Sequence, residues 1–265
     1  MPLLTELDLV WIWFYKDVAP TALFQFSSLM KKRELKITPK HLLEQIKKLR
    51  NELFVANVQF DLYVSFNKTA PAYKEEIGCS PLFWDYTMKA HIDMVVLRLC
   101  RLYDPDPRTL SLPNFIKTIE ANREIFTKAA FIERNKNNLN LERQLEYNRE
   151  LSSSFLEEAK KICNECNPMV KELLMVRRYL VAHLNRKLAF DDIKHFQKRF
   201  PLIFENIGKL IENGFDLLNN VSSVFGGSVF DGTKNTNYPF DDFKFILETI
   251  KMRLKRREGK MFEDE

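Results

Sequence analysis

Hydrophobic residues recur at three- and four-residue steps along most of the chain. This spacing places apolar side chains on one face of an α-helix. The rhythm is longest from Pro39 to about Phe66, and it returns from Pro81 to Tyr103. We therefore predict an all-α protein in which these two segments form paired long helices of a bundle. The apolar positions of the first segment are Leu42, Ile46, Leu49, Leu53, Ala56, Phe60 and Val64.

Capping and helix-breaking residues predict where the helices begin and end. Thr38 followed by Pro39 is typical of a helix start. The second long helix should stop at residues 104–107, Asp-Pro-Asp-Pro, because proline lacks an amide hydrogen. The prolines and glycine after Lys68 predict a connection with little regular structure. Further helices are predicted over 109–121, 139–167, 168–187 and 240–257, with another beginning at Pro201; those on either side of Pro168 are expected to form an antiparallel pair.

These features divide the chain into three predicted parts. Residues 1–37 form an aromatic, helical N-terminal extension, residues 38–225 the helical bundle, and residues 226–265 a linker followed by a basic C-terminal helix. The apolar, aromatic start around Trp11 and Trp13 is predicted to dock on the body or on a partner, with a membrane interface as the alternative. The basic end from Lys251 to Lys260 has two interpretations: a solvated face, or a surface that holds a phosphate backbone.

Composition narrows the class of protein. Seven glycines and 45% hydrophobic residues in 265 residues favour helices over many short strands. The formal net charge of +5 is compatible with a polyanionic partner such as RNA. Four cysteines are too few for a disulfide scaffold, so we expect a cytoplasmic protein. No apolar run is long enough to span a bilayer, and no membrane association is expected.

The lone C-x-x-C motif, Cys163 to Cys166, is interpreted as two reduced thiols. A zinc site would need two further ligands, and no second C-x-x-C or H-x3-H follows at the spacing of a zinc finger. We therefore predict no metal and no other cofactor.

The candidate chemistry lies in residues 168–187, PMVKELLMVRRYLVAHLNRK. Its apolar stripe consists of Leu173, Val176, Leu180 and Leu184. His183 is turned about 20° from Val176 on a straight helix, so it lies at the margin of this stripe. Arg177 and Arg178 are turned from His183 by about 120° and 140°. Neither arginine shares a narrow face with the histidine, so a bend in the helix or a second copy of it must complete a site. We interpret this as a composite site in a homodimer.

A second polar patch is predicted on the helix that ends near Tyr103. His91, Arg98 and Arg101 are seven and ten positions apart, so they lie near one face. The alternative is a satisfied, buried histidine with arginines that pair with acids such as Asp93 or Asp104.

Two segments resemble proteins of the HEPN superfamily. RRYLVAH, residues 177–183, resembles the R-x4–6-H signature, with either Arg177 or Arg178 as its arginine. Residues 83–112, FWDYTMKAHIDMVVLRLCRLYDPDPRTLSL, resemble the AbiU-type HEPN proteins of abortive-infection systems, in which a long helix ends in an R-L-x-D-P turn before a T-L-S-L helix start. The resemblance covers roughly residues 82–187. It implies a HEPN-like helical bundle, here with extra N- and C-terminal helices.

The resemblance also implies an activity. HEPN ribonucleases cleave RNA without a metal in a cleft shared by two chains, and their products carry a 2′,3′-cyclic phosphate. His183 would then be the acid or base, and Arg177 or Arg178 would bind the phosphate. Supporting RNA contacts are predicted for Tyr179, Asn185, Arg186, His91 and Arg101. We expect a dimeric endoribonuclease of an antiphage-defence or toxin–antitoxin system, with an antitoxin or regulatory protein as a further partner.

This chain departs from the HEPN pattern at two places. Some HEPN toxins have a modifiable tyrosine two positions after the histidine, where this chain has Asn185. The asparagine or aspartate that usually follows the motif arginine is replaced by Arg178 or Tyr179, depending on the register. The alternative function is therefore a non-catalytic helical module that binds RNA or protein.

Overall fold

The computed structural model describes residues 36–142, 145, 151–164, 166–177, 204–226 and 241–257. The chain divides into two compact units, Met1–Lys36 and Ile37–Glu265. Apart from Lys36, every described residue belongs to the second unit. All regular elements in the described residues are helical, which confirms the predicted all-α class. The predicted division at residues 225 and 226 stays a prediction.

Two long helices form the centre of the second unit, as the hydrophobic pattern predicted. Helix α1, Pro39–Thr69, packs along most of its length against α3, Pro81–Leu102. The Thr38 hydroxyl accepts a hydrogen bond from the His41 amide at 3.3 Å, and Pro39 stands in the first turn. The predicted cap is therefore confirmed. The buried residues of α1 are Leu42, Ile46, Leu49, Leu53, Ala56 and Phe66, whereas Phe60 and Val64 are only half-buried.

The segment between the two long helices is more regular than the sequence suggested. It contains a 3-10 turn, Ala70–Ala72, and the short helix α2, Lys74–Gly78. The reason is local packing: the Tyr73 ring is buried between these two elements and belongs to a small apolar cluster. Pro71 and Pro81 each stand in the first turn of their element, where proline is compatible with a helix.

Further helices surround the central pair. In chain order they are α4 (Leu112–Ala121), α5 (Lys128–Asn135), α6 (Ser153–Cys163), α7 (Pro168–Val176), α8 (Phe204–Gly226) and α9 (Asp241–Arg257). Helix α8 packs against α1 and α5, α6 packs chiefly against α4, and α7 packs against α3 and α8. The main core contains residues from α1, α3, α4, α6, α7 and α8.

The prediction of one continuous helix over 139–167 was wrong. Leu151 and Ser152 are not helical, and the Ser152 hydroxyl caps α6 by accepting a hydrogen bond from the Phe155 amide at 3.1 Å. Helix α6 ends at Cys163 rather than at Asn167. Helix α6 packs chiefly against α4 and α7 packs against α3 and α8, and the antiparallel pairing of α6 with α7 stays a prediction.

Helix α9 covers the second apolar cluster, at the end of the bundle where α1 stops and α3 begins. Phe243 and Leu247 of α9 are buried there with Phe66 and Trp84. The Tyr73 hydroxyl donates a hydrogen bond of 2.5 Å to the Glu248 carboxylate. The basic residues at the end of α9, Arg253, Lys255, Arg256 and Arg257, are exposed. Both interpretations of this surface stay open.

Candidate functional site

The end of α3 is held in place by a buried tyrosine. Tyr103 has no solvent exposure, and its hydroxyl donates a hydrogen bond of 2.6 Å to the Leu210 carbonyl of α8. Burial raises the pKa of this hydroxyl well above its ordinary value, so it stays protonated and can donate. Tyr103 therefore fixes the position of the next residue, Asp104, which follows the end of the helix.

The turn after α3 then orients the Asp104 carboxylate. One carboxylate oxygen, Oδ1, accepts a hydrogen bond of 3.0 Å from the Asp106 amide. Pro105 lies between the two aspartates and cannot continue the helix. The Asp106 carboxylate is bound to Arg108, and this hydrogen bonding lowers the Asp106 pKa to about 2. Arg108 thus pairs with Asp106, and the second oxygen of Asp104 faces α7.

Arg177 approaches this oxygen from the C-terminal end of α7. The helix begins at Asn167, whose Oδ1 accepts a hydrogen bond from the Met169 amide at 3.0 Å. Its core-facing residues are Val170, Leu173 and Val176. Arg177 follows Val176 and therefore points to the edge of the buried face. Its Nη1 donates to Asp104 Oδ2 at 3.2 Å, and 38% of the arginine side chain remains exposed.

Arg177 keeps right-handed helical dihedral angles, φ −54° and ψ −50°, and its amide donates to the Leu173 carbonyl, so the helix geometry holds the side chain at this edge. The exposed part of the guanidinium retains planar donors that match the oxygen atoms of a phosphate. The geometry of Arg177 is therefore suited to an anion held at the surface next to the Asp104 turn.

A buried thiol lies beneath the ion pair. Cys100 is fully buried, and its Sγ lies 3.6 Å from the Leu173 carbonyl oxygen of α7. Burial raises the Cys100 pKa to about 12; the Arg177 charge opposes this shift and the Asp104 charge adds to it. The thiol is therefore neutral at physiological pH and acts as a packing residue between α3 and α7.

Most of the predicted site residues lie outside the described part of the chain. These are Arg178, Tyr179, His183, Asn185 and Arg186. The same holds for Leu180 and Leu184 of the predicted stripe, whereas Leu173 and Val176 are buried as predicted.

The other two predicted residues, His91 and Arg101, both lie on α3. Arg101 is exposed in its last turn, close in sequence to Asp104. His91 is half-buried, and burial lowers its pKa. The two are about 15 Å apart along the helix axis. Arg101 therefore lies near the ion pair, and the structure does not bring His91 to it.

Arg98 forms an ion pair, but with neither of the two acids considered from the sequence. It pairs with Glu52 of α1 at 2.8 Å. Asp93 instead pairs with Lys89 at 2.9 Å, one turn away on the same exposed helix face. Asp104 is the partner of Arg177, a role that sequence reasoning missed. The sequence did contain a signal for this pair. Asp104 belongs to the R-L-x-D-P segment and Arg177 to the R-x4–6-H segment, and these are the two segments that carry the family resemblance.

The C-x-x-C motif places its two cysteines in different environments. Cys163 is buried in α6, and burial raises its pKa to about 12, whereas Cys166 is exposed. Neither forms a disulfide. Within the described ranges, no three His, Cys, Asp or Glu residues are grouped so that they could hold a metal ion. The same part of the chain has no helix with the length and apolarity to cross a membrane.

Comparison with known proteins gives one match. A model of the HEPN_AbiU2 family, described as AbiU2, matches residues 39–243. This range runs from the first residue of α1 into the beginning of α9, and it includes both Asp104 and Arg177. No curated protein and no solved structure matches the chain.

Proposed function

The chain belongs to the HEPN_AbiU2 family, and on that premise we propose that it is a metal-independent endoribonuclease of an antiphage-defence or toxin–antitoxin system. The observation that carries this proposal is the ion pair between Asp104 and Arg177. It joins the two motifs that resemble AbiU-type proteins, although the two residues are 73 positions apart. A half-exposed arginine fixed by a carboxylate is suited to holding the phosphate of an RNA strand.

The proposed reaction requires three tasks. A base removes the proton from a 2′-hydroxyl, the 2′-oxygen attacks the adjacent phosphorus, and the 5′-oxygen leaves with a proton. Histidine can transfer protons at neutral pH, so we assign His183 as the base or the acid. Arginine stays protonated, so Arg177 or Arg178 stabilises the charge that develops on the phosphorus-bound oxygens. The products are a 2′,3′-cyclic phosphate and a 5′-hydroxyl.

We further propose that the active species is a cytoplasmic homodimer. The separation of both arginines from His183 around a straight helix supports this, since a two-fold axis brings the same patch of two chains together. Tyr179, Asn185 and Arg186 belong to the same sequence segment and are proposed as RNA contacts. An antitoxin or regulatory protein is proposed as a further partner.

The direct test is incubation of the purified full-length protein with single-stranded RNA in the presence of EDTA. We expect fragments that end in a 2′,3′-cyclic phosphate, identified by mass spectrometry. Induction of the protein in bacteria should at the same time arrest growth and fragment cellular RNA. Failure of the wild type to cleave RNA both in cells and in vitro would count against the proposed activity.

Replacement of Asp104 by asparagine should lower the RNA cleavage rate about tenfold or more. Without the carboxylate, Arg177 is no longer held in position to contact the phosphate in the transition state. The side-chain oxygen of the new asparagine can still accept the Asp106 amide hydrogen, so the turn should persist. The pair is partly buried, with 38% of the arginine and 16% of the aspartate side chain exposed, so its loss should cost about 1–2 kcal/mol of stability. We therefore expect a fall in kcat measured on protein that remains folded, with a modest shift in urea unfolding.

Asp106→Asn is the matched control for that variant. It makes the same chemical change two residues away and removes the exposed pair with Arg108, which lies at 2.6 Å. Its cleavage rate should stay near the wild-type value. Equal losses of activity in the two variants would show that the turn, and not the contact with Arg177, matters for activity.

A second candidate function is a non-catalytic helical module that binds RNA or protein. The same ion pair favours it, because Arg177 then simply pairs with an acid between α7 and the end of α3. This function predicts that charge reversal at the arginines lowers the stability of the dimer, whereas alanine at position 183 changes nothing.

A further inference from the structure

A groove lies between α4 and α6, beside the turn that holds Arg177. Its volume is about 390 Å³, which is in the range of small-ligand sites. Pro105 is part of its wall, and this residue directly follows Asp104. Because consecutive Cα atoms are about 3.8 Å apart, the groove begins one residue from the carboxylate that binds Arg177.

The groove combines an uncharged surface with three charged lining residues, Lys117, Glu120 and Lys160. Pro105, Pro113 and Ile116 contribute apolar surface, and Cys163 contributes a thiol. Burial raises the Cys163 pKa to about 12, so the thiol is neutral at physiological pH. A flat, mostly apolar ring such as a nucleobase can pack against the apolar part of this lining.

The rim supplies polar groups of two kinds. Lys160 is bound to Glu120 at 2.6 Å and to Glu157 at 3.0 Å, so carboxylates already balance its charge. Lys117 is exposed, and its Nζ lies 3.2 Å from the neutral Asn114 side-chain oxygen. No carboxylate pairs with Lys117 among the residues that the structure describes. The Lys117 ammonium group is therefore available to pair with an anionic ligand.

The exposed Asn164 lies at the mouth of the groove, immediately after α6. Its side-chain oxygen accepts a hydrogen bond of 2.9 Å from the Cys166 amide, and its amide NH₂ is a donor. Together, the groove offers apolar surface, one amide and the cation of Lys117, beside the mutually paired charges of Lys160 and Glu120. These are the groups that a nucleotide requires for its base and its phosphate.

We infer that this groove binds a nucleotide of the RNA substrate next to the phosphate held by Arg177. This inference rests on the proposed function for the identity of the ligand. The base lies on Pro105, Pro113 and Ile116, and Lys117 contacts a phosphate of the same strand. The groove then selects which base flanks the cleaved bond, and it aligns the strand with the candidate catalytic residues.

The test uses a short single-stranded 2′-O-methyl RNA, which lacks the nucleophilic hydroxyl and so reports binding without cleavage. Asn164→Trp should fill the mouth of the groove and weaken binding about tenfold, which is the scale of losing one stacked base. Asn164→Ala loses the same hydrogen bond to Cys166 without filling the groove. Because it loses only the amide contact, it should bind a few-fold more weakly than the wild type but more tightly than Asn164→Trp, and equal binding by the two variants overturns the inference.

The proposed contact between Lys117 and a phosphate is tested by the Lys117→Glu variant, with Lys128→Glu as its control. Both lysines are exposed, but Lys128 lies on α5 and does not line the groove. Lys117→Glu should weaken binding and lower the slope of log K against log salt by about 0.7, the value for one phosphate contact on a single strand. An equal loss in the Lys128 variant would show a general charge effect and overturn the assignment.

Cleavage assays distinguish a wrong assignment of the groove from a wrong assignment of ribonuclease activity. If the wild type cleaves RNA and Asn164→Trp leaves the base preference at the cleavage sites unchanged, the groove inference is wrong and the ribonuclease stands. If the wild type cleaves nothing while Asn164→Trp still binds RNA more weakly than Asn164→Ala, the groove inference holds and the ribonuclease proposal fails.

Discussion

Replacement of His183 by alanine is expected to abolish most RNA cleavage, with a loss of about 10²- to 10⁴-fold in kcat. The reason is that no other side chain in the R-x4–6-H segment transfers protons readily at neutral pH. The rate is measured from the appearance of fragments with cyclic-phosphate ends. Growth of cells that express the variant should continue when cells that express the wild type stop.

The matched control is His41→Ala. His41 is exposed on the first turn of α1, so the same substitution removes an imidazole without touching the candidate site. Its activity should equal that of the wild type. A folded, dimeric His183→Ala protein that still cleaves RNA at the wild-type rate would rule out the assigned role and favour the binding module.

The composite site can be tested with the same variant. A chain carrying His183→Ala is co-expressed with one in which Arg177 and Arg178 are both replaced by alanine. If the histidine and the arginine of one site come from different chains, each mixed dimer contains one intact site and regains cleavage. If both come from the same chain, no site is intact and the mixture stays inactive.

The second large effect concerns stability. Replacement of Leu53 by alanine should lower the free energy of unfolding by about 2–5 kcal/mol, the range for a fully buried leucine. Leu53 has no exposed surface and lies at the contact between α1 and α8. A Cβ added at Gly214 would lie only 2.8 Å from Leu53 Cδ2, so the leucine fills the space that the glycine leaves. The truncation therefore opens a cavity between two main helices.

Leu43→Ala provides the control on the same helix. This leucine is 40% exposed, so its removal should change the free energy of unfolding by less than about 1 kcal/mol. Both values are measured by urea unfolding followed by circular dichroism. Equal, small losses in the two variants would contradict the packing of α1 against α8.

The sequence by itself determined the elements that depend on local interactions. The three- and four-residue rhythm identified α1 and α3, because a helix places those positions on one face. Thr38 and the prolines after Asp104 fixed helix ends through hydrogen bonds made or lost within a few residues. The two segments that resemble HEPN proteins could also be recognised from the sequence without knowledge of the fold. Errors arose around Tyr73, whose ring packs in an apolar cluster, and before α6, where the Ser152 hydroxyl caps a new helix.

Only the tertiary structure decided which distant residues meet. The spacing along α3 made Asp93 and Asp104 equal candidates for the arginines of the same helix, whereas the fold pairs Arg98 with Glu52 and Asp104 with Arg177. The position of the α4–α6 groove beside that pair was likewise invisible in the sequence. The physical reason is that helix periodicity fixes which face is buried, but the packing of those faces against one another fixes every contact between helices.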